Sequence, residues 1–398
     1  MDIIGKFRYL ARIVALMVVA AVLFTACGAD DDPEPVVCPE PEPSEVSRVV
    51  LVYMSANNNL GGYFDERDIE EMKQAALAGD LAGGRLLVFR HGTNNDTKAV
   101  EQRLFEILPD GSERTLVEYD SSLSSVSMER MGQVLDDAER LAPAESRGLM
   151  LWSHADGWLN TGFENPETLP AAAPRGFGQD GAKKMSISAL GHVLEGRYFD
   201  FIYFDCCYMA SVEVMYELRE SAGLFAASAA ELPADGARYH EALRHMFAPE
   251  LDLVSAVKAS FDFYYKQNTS GCTLSVVRSA ELEPLAAATA EIYSTRPAQP
   301  QKGSVQQFQN SGNNYFDFDD YMEQLLVDNP AAYSSWKSVL DGAVSFQGAT
   351  ERIYMVNRFH VRRHCGLTTY ILFTEQDASR QSYRQLKWYR DVASRLYE

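Results

Sequence analysis

An α/β fold, with helices on both faces of a mostly parallel sheet, is what this sequence predicts, and three observations predict it. Short apolar runs alternate with amphipathic helical patterns from residue 46 onward. The runs are almost continuously apolar, as expected of strands buried on both faces. Two of them end in reactive side chains, His154 and the Cys206-Cys207 pair, and the carboxyl edge of a parallel sheet is where such folds gather their chemistry.

Val46 to Met54 reads as the first strand, followed by the loop Ser55-Ala56-Asn57-Asn58-Asn59-Leu60-Gly61-Gly62. A helix from about Phe64 to Ala78 places Ile69, Met72, Ala76 and Leu77 on one apolar face. Arg85 to Arg90 is a second strand. Lys98 to Ile107 and Thr115 to Tyr119, around Pro109-Asp110-Gly111-Ser112, form a hairpin. Ser127 caps a helix running to Leu141. Gly148 to Trp152 and Phe199 to Phe204 are the third and fourth core strands. Met209 to Arg219 is helical, and Gly223 to Ala227 is a fifth strand.

Between His154 and the fourth strand, Asn160 to Lys184 is a long irregular stretch rich in Pro, Gly and Ala. Such a segment is a natural site of nicking, and Arg175, Lys183 or Lys184 could be points of self-cleavage. Further on, helices are expected at Leu251 to Gln267, Leu282 to Tyr293 and Phe316 to Leu326, with strands at Cys272 to Val277 and Cys365 to Phe373. A closing helix spans Ser379 to Tyr397. This half either extends the same sheet or forms a packed accessory region.

The first 27 residues read as an export signal rather than as part of the fold. Lys6, Arg8 and Arg12 precede the apolar run Ile13 to Phe24, which is short for a membrane span. The run ends in Leu23-Phe24-Thr25-Ala26-Cys27-Gly28, which resembles a bacterial lipobox with Cys27 as the lipidated residue. Residues 28–45 are acidic and Pro-rich, a solvated tether. The expected organisation is thus a signal at 1–27, a tether at 28–45, a catalytic core at 46–245 and a C-terminal region at 246–398 completing the fold. An exported lipoprotein at the outer membrane or surface of a Gram-negative cell follows, its membrane contact made through the lipid.

The formal net charge of −20 argues against nucleic-acid binding. Beyond Cys27 the cysteines are Cys38, Cys206, Cys207, Cys272 and Cys365, an odd number with two adjacent and so a poor disulfide framework. A thiol and an imidazole leaving one sheet edge are the minimum equipment for thiol-based acyl transfer. On extended backbone Cys206 and Cys207 point to opposite faces, so only one of them serves the cleft. The remaining histidines carry no metal-binding pattern, and no metal is assigned.

Several motifs resemble one known family, the clostripain family of cysteine peptidases. They are Tyr53-Met54-Ser55-Ala56-Asn57-Asn58-Asn59-Leu60, Leu151 to Trp158 around His154, Phe204-Asp205-Cys206-Cys207-Tyr208-Met209, Ala227 to Pro233, and Gly366-Leu367-Thr368-Thr369-Tyr370. The resemblance implies a caspase-like α/β/α sandwich with a C-terminal extension, and endopeptidase activity on polypeptides after Arg or Lys. It makes His154 the base and Cys207 the nucleophile, since the family's thiol comes two residues after an Asp. It also implies an oxyanion hole from the backbone N–H groups of Ala155 and Cys207. Ser153 and Ala155 depart from the family's common Asp and Gly there. Asp205 is the candidate base of the specificity pocket, with Asp235 as a second acid, because a carboxylate holds a guanidinium through two charge-assisted hydrogen bonds. Calcium dependence is a family property, but the sequence has no EF-hand-type ligand pattern and no cofactor is assigned. A monomer is expected. The rival readings are a catalytically impaired binding protein and a thiol transpeptidase on the same scaffold.

Overall fold

The computed structural model describes residues 47–95, 97–158, 176–308, 315–356, 358–374 and 379–398. Cys27, the tether at 28–45 and Arg175 lie outside the described residues.

The first strand, β1 (Val49–Ser55), is buried along its whole length. Its alternate residues enter two separate cores: Val50, Val52 and Met54 on one face, Val49, Leu51 and Tyr53 on the other. Helix α1 (Phe64–Leu77) covers the first face through Ile69, Met72, Ala75 and Ala76. Leu77, expected on that face, is instead exposed. It is the last residue of the helix. Strands β2 (Arg85–Thr93), β3 (Val100–Ile107) and β4 (Glu113–Tyr119) follow. Helix α2 (Met128–Leu141) starts on Ser127, whose hydroxyl accepts from the Arg130 N–H at 3.2 Å. It covers the second face with Met131, Val134 and Leu135.

Strand β5 (Arg147–Trp152) is followed by a small hairpin, β6 (Phe177–Asp180) and β7 (Lys183–Met185), then helix α3 (Ile187–Leu194). The hairpin corrects the expectation of irregular chain up to Lys184. It is pinned to the end of β5 by hydrogen bonds from Gly178 N to His154 O (3.0 Å) and from Asp156 N to Gly176 O (3.2 Å). Strand β8 (Phe199–Asp205), helix α4 (Val212–Glu217) and strand β9 (Ala222–Ala227) follow. Helices α5 (Tyr239–Met246) and α6 (Leu253–Gln267) return to the face covered by α1, and strand β10 (Thr273–Arg278) leads to helix α7 (Leu282–Ser294).

The last part begins with β11 (Tyr315–Asp317) and helix α8 (Phe318–Leu325), where a helix from Phe316 was expected. Asp317 is the reason for the later start, since its carboxylate accepts from Asp320 N at 2.9 Å as an N-cap. Helix α9 (Pro330–Ala343), capped by Asn329, was not foreseen. Strand β12 (Val344–Ala349), the hairpin β13 (Arg352–Tyr354) and β14 (Arg358–His360), and strand β15 (Thr368–Tyr370) complete the strands. The single closing helix expected over 379–397 is broken. Helix α10 (Arg380–Gln385) stops at Leu386, which is extended, and a π-helical turn at Tyr389–Ala393 precedes helix α11 (Ser394–Tyr397). The break lets Lys387 N donate to Glu217 Oε2 at 2.8 Å and buries Trp388 fully, so tertiary anchoring overrides the helical pattern.

One nine-stranded sheet organises these elements in the order β12-β10-β9-β8-β5-β1-β2-β3-β4. Its centre, β9-β8-β5-β1-β2, is parallel, and antiparallel strands flank it on both edges. The second half of the chain therefore extends the same sheet through β10 and β12. Neighbouring β5 and β8 are in register with Trp152 opposite Asp205, so the residues that follow each strand emerge side by side.

Candidate active site

His154 follows β5 by two residues, and its position is set by polar contacts rather than by packing. Ser153, buried, donates through Oγ to the carbonyl of Ser55 at 2.7 Å and accepts from Gln179 N at 3.0 Å. These bonds tie the end of β5 to the end of β1 and to the β6 hairpin. The loop after β1 is shaped by Asn58, whose Oδ1 accepts from Leu60 N at 2.9 Å. Its Nδ2 donates to Ser55 O and Gln179 O, each at 2.9 Å. The loop closes so tightly that a Cβ on Gly61 would lie 1.9 Å from the Ala56 carbonyl oxygen.

That loop presents Asn59, whose Oδ1 is 2.7 Å from His154 Nε2. Pairing with a carbonyl oxygen makes Nε2 the N–H nitrogen and leaves Nδ1 as the basic one. Burial, and next the charge of Lys184, lowers the pKa of the half-buried imidazole, while Asp156 opposes them. Lys184 is ion-paired with Asp156, in the adjacent hairpin strand β7. Ala155 forms an antiparallel bridge with Phe177, and the flanking bonds at His154 and Asp156 make it the non-hydrogen-bonded type. In such a pair the residue's own N–H faces away from the partner strand.

β8 delivers Asp205, Cys206 and Cys207. The strand ends at Asp205, so both cysteines stand beyond it rather than on extended strand. Cys206 is buried in the apolar core, whereas Cys207 is half-buried at the cleft, followed by Tyr208 with φ +60°. Both cysteines border the cleft, Cys207 being the more exposed of the two, and a turn rather than the expected pleat separates them. Leu232 N donates to Cys207 Sγ at 3.3 Å. Burial pushes the Cys207 thiol up to about 12, partly offset by that backbone hydrogen bond.

Asp205 is almost fully buried. Both of its oxygens accept from Ala237 N at 3.0 Å, and Tyr239 OH donates to Oδ2 at 2.9 Å. Burial raises its pKa to about 6 against the opposing effect of these bonds. Gly236, at φ +61°, packs directly on the carboxylate; a Cβ there would come within 2.8 Å of Oδ2.

These residues share one cleft of about 390 Å³, lined by Asn59, Trp152, His154, Ala155, Asp205 and Cys207 among others. The segment Glu231–Ala234 forms one wall, and Met355 and Val356 reach in from the β13–β14 hairpin. Asp235 is not among the lining residues; it is ion-paired with Arg67 of α1. Lys183 is exposed and Lys184 half-buried, both within the hairpin rather than in open loop. Asn59 belongs to the first-strand motif but had no expected role. Its only signal was an Asn run directly after a buried strand. Met355 and Val356 gave no signal at all.

A sequence model of the clostripain family matches residues 52–377. Two solved structures are similar over nearly their whole length. A secreted C11 cysteine protease from Bacteroides thetaiotaomicron, in complex with an irreversible peptide inhibitor, is 29% identical with a TM-score of 0.76, covering 89% of this chain and 100% of that one. An inactive zymogen C11 protease from Parabacteroides distasonis is 28% identical with a TM-score of 0.74, covering 88% and 99%. A cysteine protease from B. fragilis, 28% identical with a TM-score of 0.51, covers 56% of this chain and 97% of its own. No curated protein matches the chain. Family match and shared fold together make this chain a cysteine peptidase of the clostripain family, with the caspase-like α/β/α architecture of its relatives.

Proposed function

We propose that this peptidase cleaves polypeptides after Arg or Lys, with Cys207 as nucleophile, His154 as base and Asp205 at the floor of the specificity pocket. The observation that carries the reading is the register of β5 and β8. Trp152 opposite Asp205 brings the next residues of both strands into one cleft, with a carboxylate beside them that no lysine or arginine pairs among the described residues. The thiol attacks the scissile carbonyl carbon as its proton passes to His154 Nδ1. The resulting oxyanion is held by the N–H groups of Ala155 and Cys207. Collapse breaks the C–N bond, and the imidazolium gives its proton to the leaving amine. Water, deprotonated by His154, then releases the acyl group.

Peptide substrates differing only in Arg, Lys or Ala before the scissile bond test the specificity. A basic peptidyl chloromethylketone tests the nucleophile, with the adduct expected on Cys207 by mass spectrometry. Equal turnover of all three substrates, or labelling of Cys206, would refute these assignments.

The organisation expected from the sequence belongs to the same proposal: a signal at 1–27, a tether at 28–45, a catalytic core at 46–245 and a completing region at 246–398. The Bacteroides relative is described as secreted, which favours export. Lipidation at Cys27 predicts incorporation of labelled palmitate that a Cys27→Ala variant loses. The Parabacteroides relative is described as an inactive zymogen, which favours a latent form here too, opened by self-cleavage at Arg175, Lys183 or Lys184. Full activity of an intact single chain would exclude that step.

A further inference from the structure

Helix α1 carries two fully buried aspartates one turn apart, and their surroundings differ. Asp65 is saturated: Oδ1 accepts from Gly62 N (2.7 Å) and Glu66 N (2.9 Å), and Oδ2 pairs with the Arg90 guanidinium at 2.8 Å. Asp68 has one bond, accepted through Oδ2 from the indole Nε1 of Trp152 at 2.7 Å. Its Oδ1 is buried without a hydrogen-bond partner, and among the described residues no Lys, Arg or His forms an ion pair with it. Its neighbour Arg67 pairs with Asp235, and Glu71, one turn on, faces Arg238 and His240.

A buried carboxylate without a cation is costly, and proteins rarely keep one without use. Its place suggests the use. Trp152, its one partner, lines the cleft and stands opposite Asp205 in the sheet, so Asp68, though not itself a lining residue, sits directly behind the cleft wall beside Asp205. Burial, and next the charge of Asp205, push the Asp68 carboxyl up. Asp205 already accepts from two donors, the Ala237 N–H shared between its oxygens and the Tyr239 hydroxyl, which reduces its capacity for a whole guanidinium.

We propose that Asp68 is a second, deeper acid of the specificity pocket, kept unpaired for the basic side chain of the substrate, and that it favours Arg over Lys. The inference rests on the reading of this cleft as a pocket for a basic residue. The planar guanidinium offers five donors and can serve two carboxylates, whereas an ammonium is a compact point charge on a more flexible stem.

The test compares wild type with Asp68→Asn on matched peptides bearing Arg, Lys or citrulline, the uncharged analogue of Arg. The Arg-to-citrulline ratio of kcat/KM is expected to fall about tenfold or more, with a parallel fall in the Arg-to-Lys ratio. The melting temperature should hold or rise, since an uncompensated buried acid has been removed. Unchanged ratios in Asp68→Asn, or an equal loss on all three substrates, would overturn the proposal and make Asp68 an anchor for the indole. A wild type that does not distinguish Arg from citrulline would instead remove the basic-pocket reading, and this inference with it.

Discussion

The ends of β5 and β8 face one cleft, yet they are built by different means. The β8 end is set by the core and the main chain: Cys206 is sunk in apolar packing, and Asp205 and Cys207 take backbone N–H groups from Ala237 and Leu232. The β5 end adds side chains to its two backbone bonds with the hairpin: Ser153 on Ser55, Asn58 on Gln179, and Asn59 on His154. Backbone donors are indifferent to most substitutions, whereas a side-chain lattice is lost with any one of its members. The nucleophile end should therefore be rigid and tolerant of change around it, and the imidazole end adjustable and fragile.

The strongest break of this comparison is at the thiol. Cys207→Ala should lower kcat/KM by roughly a thousandfold or more. Cys206→Ala should leave turnover standing and cost about 1 kcal/mol of stability, measured by urea unfolding, for the buried sulfur lost.

Next is the acid of the β8 end. Asp205→Asn should reduce kcat/KM on Arg substrates about a hundredfold, and on neutral substrates much less. The carboxyl titrates at about 6, and only its ionised form holds a cation. KM for Arg peptides should therefore fall as pH rises through that value, a limb that Asp205→Asn abolishes. The His154 pKa is lowered, so its neutral, basic form persists toward lower pH and does not create that limb.

On the β5 end, Asn59→Ala frees the imidazole and should lower kcat roughly ten- to hundredfold with little change in KM. A KM effect alone would show that Asn59 contacts substrate instead. The smallest change is Ser153→Ala. It removes the bonds to Ser55 and Gln179 and should cost about 1–3 kcal/mol of stability by urea unfolding. Its activity loss should be smaller than that of Asn59→Ala.

The parallel centre of the sheet was legible because each of its strands is a continuous apolar run, and periodicity separates such runs cleanly from the helices between them. That His154, Asp205 and Cys207 border one cleft was legible because they stand at the ends of those runs. What escaped was contributed by distance. Asp68 reads as an ordinary charge in an amphipathic helix, and only the indole of Trp152, far off in sequence, shows that it is buried. Met355 and Val356 enter the cleft from a hairpin whose sequence carries no catalytic signal. The broken C-terminal helix was hidden because the pattern cannot register the pull of Glu217 on Lys387. Helix α9 did carry a signal, Asn329 before Pro330, at an N-cap and N1 pairing that the expected element list left out.

The contact between Gly236 and Asp205 bears on how this pocket can diverge. A methyl group at 236 would press on the carboxylate, and a longer acid at 205 would need the space that the glycine's neighbours enclose. Added bulk at either position would press on the other, so such substitutions are expected to be epistatic. A lineage that enlarged either residue to reshape the pocket would cross an unfavourable single-mutant intermediate unless both codons changed together. Libraries built to reprogram the pocket should randomise 205 and 236 as a pair.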